Sequence, residues 1–158
     1  MPRDYCNAVL VGSPQYIAHM LQRVLNAAAR LVSGTRKFDH GLSRLLHEEL
    51  HWLDVPERVK FKLAATVHRC LQNKAPKYLV DYCIPVSYVA SRQHLRSASR
   101  HFLTVPRFRR SAFARRAFAV GDPMAWNSWN SLPDSLRDPS LCSSSFRRGL
   151  KTVLFAKY

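Results

Sequence analysis

Residues 12–34 read "GSPQYIAHMLQRVLNAAARLVSG" and contain the strongest helical pattern in the chain. Ile17, Met20, Leu21, Val24, Ala28 and Leu31 recur at spacings of three and four, which places them on one stripe of an α-helix. Ser13 is positioned to cap this helix, Pro14 suits its first turn, and Gly34 is a stop signal. Gln22, Arg23, Asn26 and Arg30 fall on the opposite face. So long an apolar stripe must be covered, by more of this chain or by a partner.

Further helices follow. Leu42, Leu45, Leu46, Leu50 and Leu53 mark a second buried stripe, in a helix running from about Asp39 to Leu50 or Leu53. "DVPE" opens a third, with Asp54 as cap, Pro56 in the first turn and Glu57 at the capping-box position. Val59, Leu63, Val67, Cys70 and Leu71 form its inward face. "NKAP" breaks it, and a short helix "PKYLVDYC" precedes Pro85. Residues 86–100 are polar and small, which suggests irregular structure. "HFLTVP" and "RRAFAV" have strand-like content. "SSSFRRGLKTVLFAKY" reads as a terminal helix with serine caps and Phe146, Leu150, Val153 and Leu154 inward, weakened by Gly149 by about 1 kcal/mol relative to Ala. The expected fold is mainly α: a compact helical half over residues 1–85, then a looser, basic α+β half over residues 86–158 that closes with a helix.

Charge narrows the class of partner. The chain holds 25 Lys and Arg against 10 acids, a net charge of +15 over 158 residues. Residues 1–86 carry 12 Lys/Arg and 7 acids, whereas residues 87–158 carry 13 and 3. Such an excess favours polyanions, nucleic acid before anionic membrane surfaces. No stretch is long and apolar enough to span a membrane, and no secretory signal is visible. Cys6, Cys70, Cys83 and Cys142 form no C-x-x-C pair, so reduced thiols, buried or partly buried, in an intracellular protein are expected.

One motif suggests chemistry. "HEELH" over residues 47–51 matches the H-E-x-x-H of zinc peptidases, in which two His at i and i+4 on a helix bind the metal. A catalytic zinc needs a third protein ligand. In the extended motif the Gly position is Asp54 and the last His position is Glu57, and no glutamate follows Glu57. His47, Glu48 and His51 are therefore read as a helix surface facing solvent or a partner. No metal and no cofactor is called for.

The basic stretch carries a stronger signal. Arg92, Arg96, Arg100, Arg107, Arg109, Arg110, Arg115 and Arg116 occur between residues 92 and 116 without one acid or lysine. Arginine forks match phosphate oxygens and stack on bases. Phe108, Phe113 and Phe118 are interleaved at a spacing of five, which suits neither one helix face nor one strand face. They read as core first and as base-stacking platforms second.

Residues 126–131 repeat a triplet, "WNSWNS", placing Trp126 and Trp129 close together on a helix. Around it, "DYCNAVLVGSP", "LQRVLNAAARLV", "LHWLDVPERVKFKL", "HRCLQNKAPKYLVDY", "RSASRHFLTVPR", "RRAFAVGDPMAWNS", "LPDSLRDPS" and "SFRRGLKTVLF" follow in order. This series resembles the C-terminal part of the reverse transcriptase polyprotein of non-LTR retrotransposons, the LINE type of the jockey-like branch, over nearly the whole chain. The resemblance implies the end of a helical thumb and the segment beyond it, after the palm with the catalytic aspartates. The chain has no Y-x-D-D sequence with which to hold paired Mg²⁺ ions, so polymerisation by this chain alone is not expected. Nor does it carry the family's endonuclease. The family pattern has a single "WNSLP" where this chain has "WNSWNSLP". It also continues upstream of "DYCN", so the first helix is expected to lack its former neighbours.

These readings converge on a non-catalytic, retrotransposon-derived chain that contacts the backbone of RNA or DNA. Arg107, Arg109, Arg110, Arg115 and Arg116 are the first choice of phosphate contacts, with Arg92, Arg96 and Arg100 second. The rival is a protein-interaction module, working through the N-terminal helix, or an inert remnant.

Overall fold

The computed structural model describes residues 10–105 and 123–158. Its elements are α1 (Gln15–Ser33), α2 (Leu42–Arg44), a π-helical turn (Leu45–Glu49), α3 (Val55–Leu71), α4 (Lys77–Val80), α5 (Arg96–Ser99), α6 (Pro123–Asn130) and α7 (Ser143–Phe155). Short 3-10 turns at Val86–Tyr88 and Asp134–Leu136 join them. The fold is mainly α.

The expected α+β character of the second half is not found among the described residues. "HFLTVP" contributes one isolated antiparallel bridge, between Pro85 and Leu103. Two backbone bonds frame it, Val86 N–H to Phe102 O and Thr104 N–H to Ile84 O, both 2.9 Å. The Asn130 side chain takes Leu103 from another side, accepting its N–H at 2.9 Å and donating to its carbonyl at 3.1 Å. An amide on a helix thus satisfies backbone groups that a further strand would otherwise pair. "RRAFAV" lies outside the described residues.

α3 is the central helix. Val59, Leu63, Val67 and Cys70 are buried as the spacing predicts, and Ala64 and His68 join them. α6 and α7 both pack on α3. They bring Trp126, Trp129, Phe146, Leu150 and Leu154 into one cluster with it. The change in composition at residue 85 is therefore not a break in the core, because helices from both sides of it share one apolar interior. Both tryptophans of the repeat are almost fully buried, and each indole N–H finds a carbonyl: Trp126 that of Tyr82 at 3.3 Å, Trp129 that of His101 at 3.0 Å. His68 stacks on Phe146 at 4.1 Å between ring centres, and burial pulls its pKa below the ordinary value.

The helix termini use other groups than the sequence suggests. Ser13 donates to the Leu10 carbonyl at 2.8 Å and caps nothing, whereas Gly34 closes α1 with a left-handed φ of 70°. Asp54 stands at the start of α3 but makes no side-chain cap bond there. Gln22 of α1 serves instead. Its Oε1 accepts the Val55 N–H at 2.9 Å and its Nε2 donates to Asp54 at 2.7 Å. Glu57 meets Lys157 and the Tyr158 hydroxyl rather than closing a capping box. At α7 the cap is the Cys142 sulfur, which accepts the Ser145 N–H at 3.5 Å, not a serine hydroxyl. The Ser144 and Ser145 hydroxyls beside it hold that exposed thiol down at about 6. Cys70 and Cys83 are buried as expected; Cys142 is not, and Cys6 lies outside the described residues.

The largest departure is the orientation of α1. Ala29 is fully buried while Met20, Val24 and Leu31 of the expected inward stripe are 61%, 67% and 85% exposed. Gln22 and Asn26, assigned by spacing to the outer face, lie on the side that meets α3. No helix of the described residues is long and apolar enough to cross a membrane.

Candidate nucleic-acid interface

The segment that carries Arg92, Arg96 and Arg100 is anchored at few points. Val86, Ala98 and Leu103 are buried beneath it, and the Val86–Tyr88 turn packs on α5. Between those anchors the chain turns through exposed residues, with Arg92 N–H bonded to the Val89 carbonyl at 2.8 Å and Leu95 N–H to the Arg92 carbonyl at 3.0 Å. Arg96, four positions beyond Arg92, opens α5. Both side chains are exposed, and no carboxylate among the described residues pairs with either. Tyr88, 81% exposed, stands in the neighbouring turn. Two cations and an exposed aromatic ring therefore come from one small corner of the molecule.

Arg100 is held differently. Its Nε and Nη2 donate to the two Asp134 oxygens at 2.8 and 3.0 Å, a bidentate fork. Asp134 also pairs with Arg137, whose side chain is only 1% exposed. Both guanidinium groups lie over the Phe102 ring, at 5.4 Å for Arg100 and 4.0 Å for Arg137. Arg137 further donates to the Asn130 carbonyl at 2.8 Å. Burial, then the nearby Arg100 charge, lowers the Arg137 pKa. Asp134 thus bridges one buried and one exposed arginine, and a phosphate taken by Arg100 must compete with it. Arg107, Arg109, Arg110, Arg115 and Arg116, and Phe108, Phe113 and Phe118 with them, lie outside the described residues.

Sequence reasoning overlooked this cluster. Asp134 and Arg137 stand three apart in "LPDSLRDPS", a spacing that puts them on one turn and was the available signal. Tyr88 offered none, since a lone tyrosine in a polar stretch has no pattern.

The HEELH segment does not present two histidines on one helix face. His47 sits in the π-helical turn and is buried, not solvent-facing. Its Nδ1 lies 2.9 Å from the Trp52 carbonyl, its Nε2 lies 3.8 Å from Asp54, and its ring stacks on Tyr158 at 3.5 Å. His51 follows the helix in a left-handed conformation, φ 49°, and is exposed. Among the described residues no group of three or more His, Cys, Asp or Glu side chains is arranged to hold a metal ion.

Compared with protein-family models, with curated proteins and with solved structures, the chain matches none of them.

Proposed function

We propose that this chain is a non-catalytic fragment derived from a LINE-type reverse transcriptase and that it binds RNA or DNA through the phosphate backbone. Eight arginines between residues 92 and 116 without one intervening acid support this reading most directly. Arg92 and Arg96 add to it, as exposed cations that no carboxylate among the described residues pairs, beside the exposed Tyr88. Phosphate contact needs such cations, and an unpaired base can stack on such a ring. The chain lacks the paired aspartates that would hold polymerase metals, so its contribution is grip and not turnover. Its site of action is inside the cell, where these polyanions are.

Salt-titrated binding to duplex and single-stranded RNA and DNA tests this. Log affinity should fall linearly with log salt, by roughly 0.9 per duplex phosphate neutralised. The Arg92→Ala/Arg96→Ala variant should reduce that slope by about 2, one for each phosphate no longer neutralised, across unrelated sequences alike. Folded protein that ignores every nucleic acid at low salt would end the proposal.

A second reading, a protein-interaction module, is favoured by one observation: Met20, Val24, Leu31 and Val32 of α1 are each more than 60% exposed.

A further inference from the structure

α1 is an amphipathic helix mounted with its apolar side outward. Tyr16, Met20, Val24, Leu31 and Val32 are each more than 60% exposed, and Leu21 is 37% exposed. Seen down the axis, these positions fill one continuous side, opposite the Gln22 and Ala29 side that meets the body. Together they leave on the order of 700 Å² of surface open, close to the ~800 Å² that each partner contributes to a standard interface.

Charge selects the occupant. Along one flank of this face runs an open cleft of about 690 Å³, lined by Arg23, Arg30 and Lys37 with Ala27, Leu31 and Gly34. The three cations are spaced by sevens, and residues 15–38 contain no acid. Asp39, just beyond, accepts the Arg36 N–H at 2.7 Å. No carboxylate among the described residues pairs with Arg23, Arg30 or Lys37. An apolar ridge beside a cationic cleft that no described carboxylate neutralises is complementary to one chemistry: a helix with its own apolar stripe and a flank of Asp or Glu repeating every seven residues.

Other occupants fit less well. A second copy would bring +15 against +15 and set like charges beside each other. A helix lying in a membrane surface carries cations on both flanks of its apolar face. Here the second flank is where Leu25 and Ala29 turn toward the body. Nucleic acid could use Tyr16 of this ridge, but Met20, Val24, Leu31 and Val32 offer it neither charge nor an aromatic face. We propose that the outer face of α1 docks an acidic amphipathic helix of a protein partner, its apolar stripe on Met20, Val24 and Leu31 and its carboxylates in the Arg23–Arg30–Lys37 cleft. This deepens the protein-interaction reading and rests on it.

The test uses the full chain and a labelled helical peptide about three heptads long, with Leu along one stripe and Glu along its flank. Its twins carry Lys in place of Glu or Ser in place of Leu. Fluorescence anisotropy should give micromolar binding of the Leu/Glu peptide and at least ~10-fold weaker binding of each twin. Val24→Ser/Leu31→Ser keeps every charge and should abolish binding. Arg23→Glu/Arg30→Glu should reverse the preference toward the Lys peptide. Circular dichroism checks that both variants remain folded, since Arg23, Val24 and Leu31 are exposed and Arg30 is half-exposed. Equal binding of the Glu and Lys peptides overturns the charge assignment while leaving a docking face. Failure to bind any of the peptides overturns both. A dimer by light scattering that Val24→Ser/Leu31→Ser dissolves assigns the face to a second copy, and flotation with phosphatidylserine vesicles lost in that variant assigns it to a membrane. Either result overturns the proposal.

Discussion

α1 and α7 both carry a clear helical stripe, and the molecule uses them in opposite senses. Phe146, Leu150 and Leu154 of α7 point into the interior and are 5% exposed or less. Met20, Val24 and Leu31 of α1 point out. The difference lies in what each helix meets. α7 lies against the apolar side of α3, alongside the tryptophans of α6. α1 meets the N-terminal end of α3, where unpaired amide groups call for a hydrogen-bonding side chain, and Gln22 supplies it. A stripe shows that a helix has a face to cover; the neighbouring surface decides which face is covered from within.

The contrast can be broken by substitution. Trp129→Ala should cost about 3–5 kcal/mol in urea unfolding, whereas Val24→Ser should stay within about 0.5 kcal/mol. If Val24→Ser proved as costly as Trp129→Ala, the stripe of α1 would be buried after all. Gln22→Ala is expected to cost about 1–3 kcal/mol, since it strips Val55 N–H of its acceptor and Asp54 of a donor. Thermal melts of this variant beside Met20→Ser measure how firmly the polar side of α1 is attached, and Met20→Ser should melt with the parent.

His68 sharpens the comparison from the interior side. Its folded pKa is lowered, chiefly by burial, from 6.5 in the unfolded chain. As pH falls below about 6.5 the unfolded chain takes up a proton that the folded protein refuses, so stability must drop. A His68→Phe variant should show a shallower loss of stability than the parent between neutral pH and the mildly acidic range. Parallel curves would mean that His68 is not the group responsible.

The smallest effect concerns Gly149. A Cβ built there would lie 2.6 Å from the Leu136 side chain, so the glycine admits that leucine against α7. Gly149→Ala alone should change stability by under ~1 kcal/mol, because the helix gain is offset by displacing Leu136. In a Leu136→Ala background the same change should stabilise by about 1 kcal/mol, a non-additivity that a double-mutant cycle reads directly.

What could be read in the residues follows from how local each interaction is. The buried face of α3 was legible because Val59, Leu63, Val67 and Cys70 repeat at the helical period and nothing competes for them. Trp126 and Trp129 were legible as neighbours on one helix because three positions separate them. The caps were not. Ser13 and Glu57 had the right local spacing, but Leu10, Lys157 and Tyr158 offered other partners. Among the described residues, the strand expected over residues 101–106 met a short stretch of backbone at 84–86, the Ser97 carbonyl and side chains from α6, and no second strand. At the candidate interface the arginine run was visible as charge. The engagement of Arg100 with Asp134, thirty-four positions away, was not, because only the folded chain joins them.

The clasp between Gln22 and the start of α3 bears on how the molecule opens. Apart from Ala29, what α1 gives to the body is mainly amide bonds and half-covered side chains, so detaching it exposes little grease. Deuterium should enter the α1 backbone through a cheap local release of that helix, while the middle of α3 exchanges only when the whole protein comes apart.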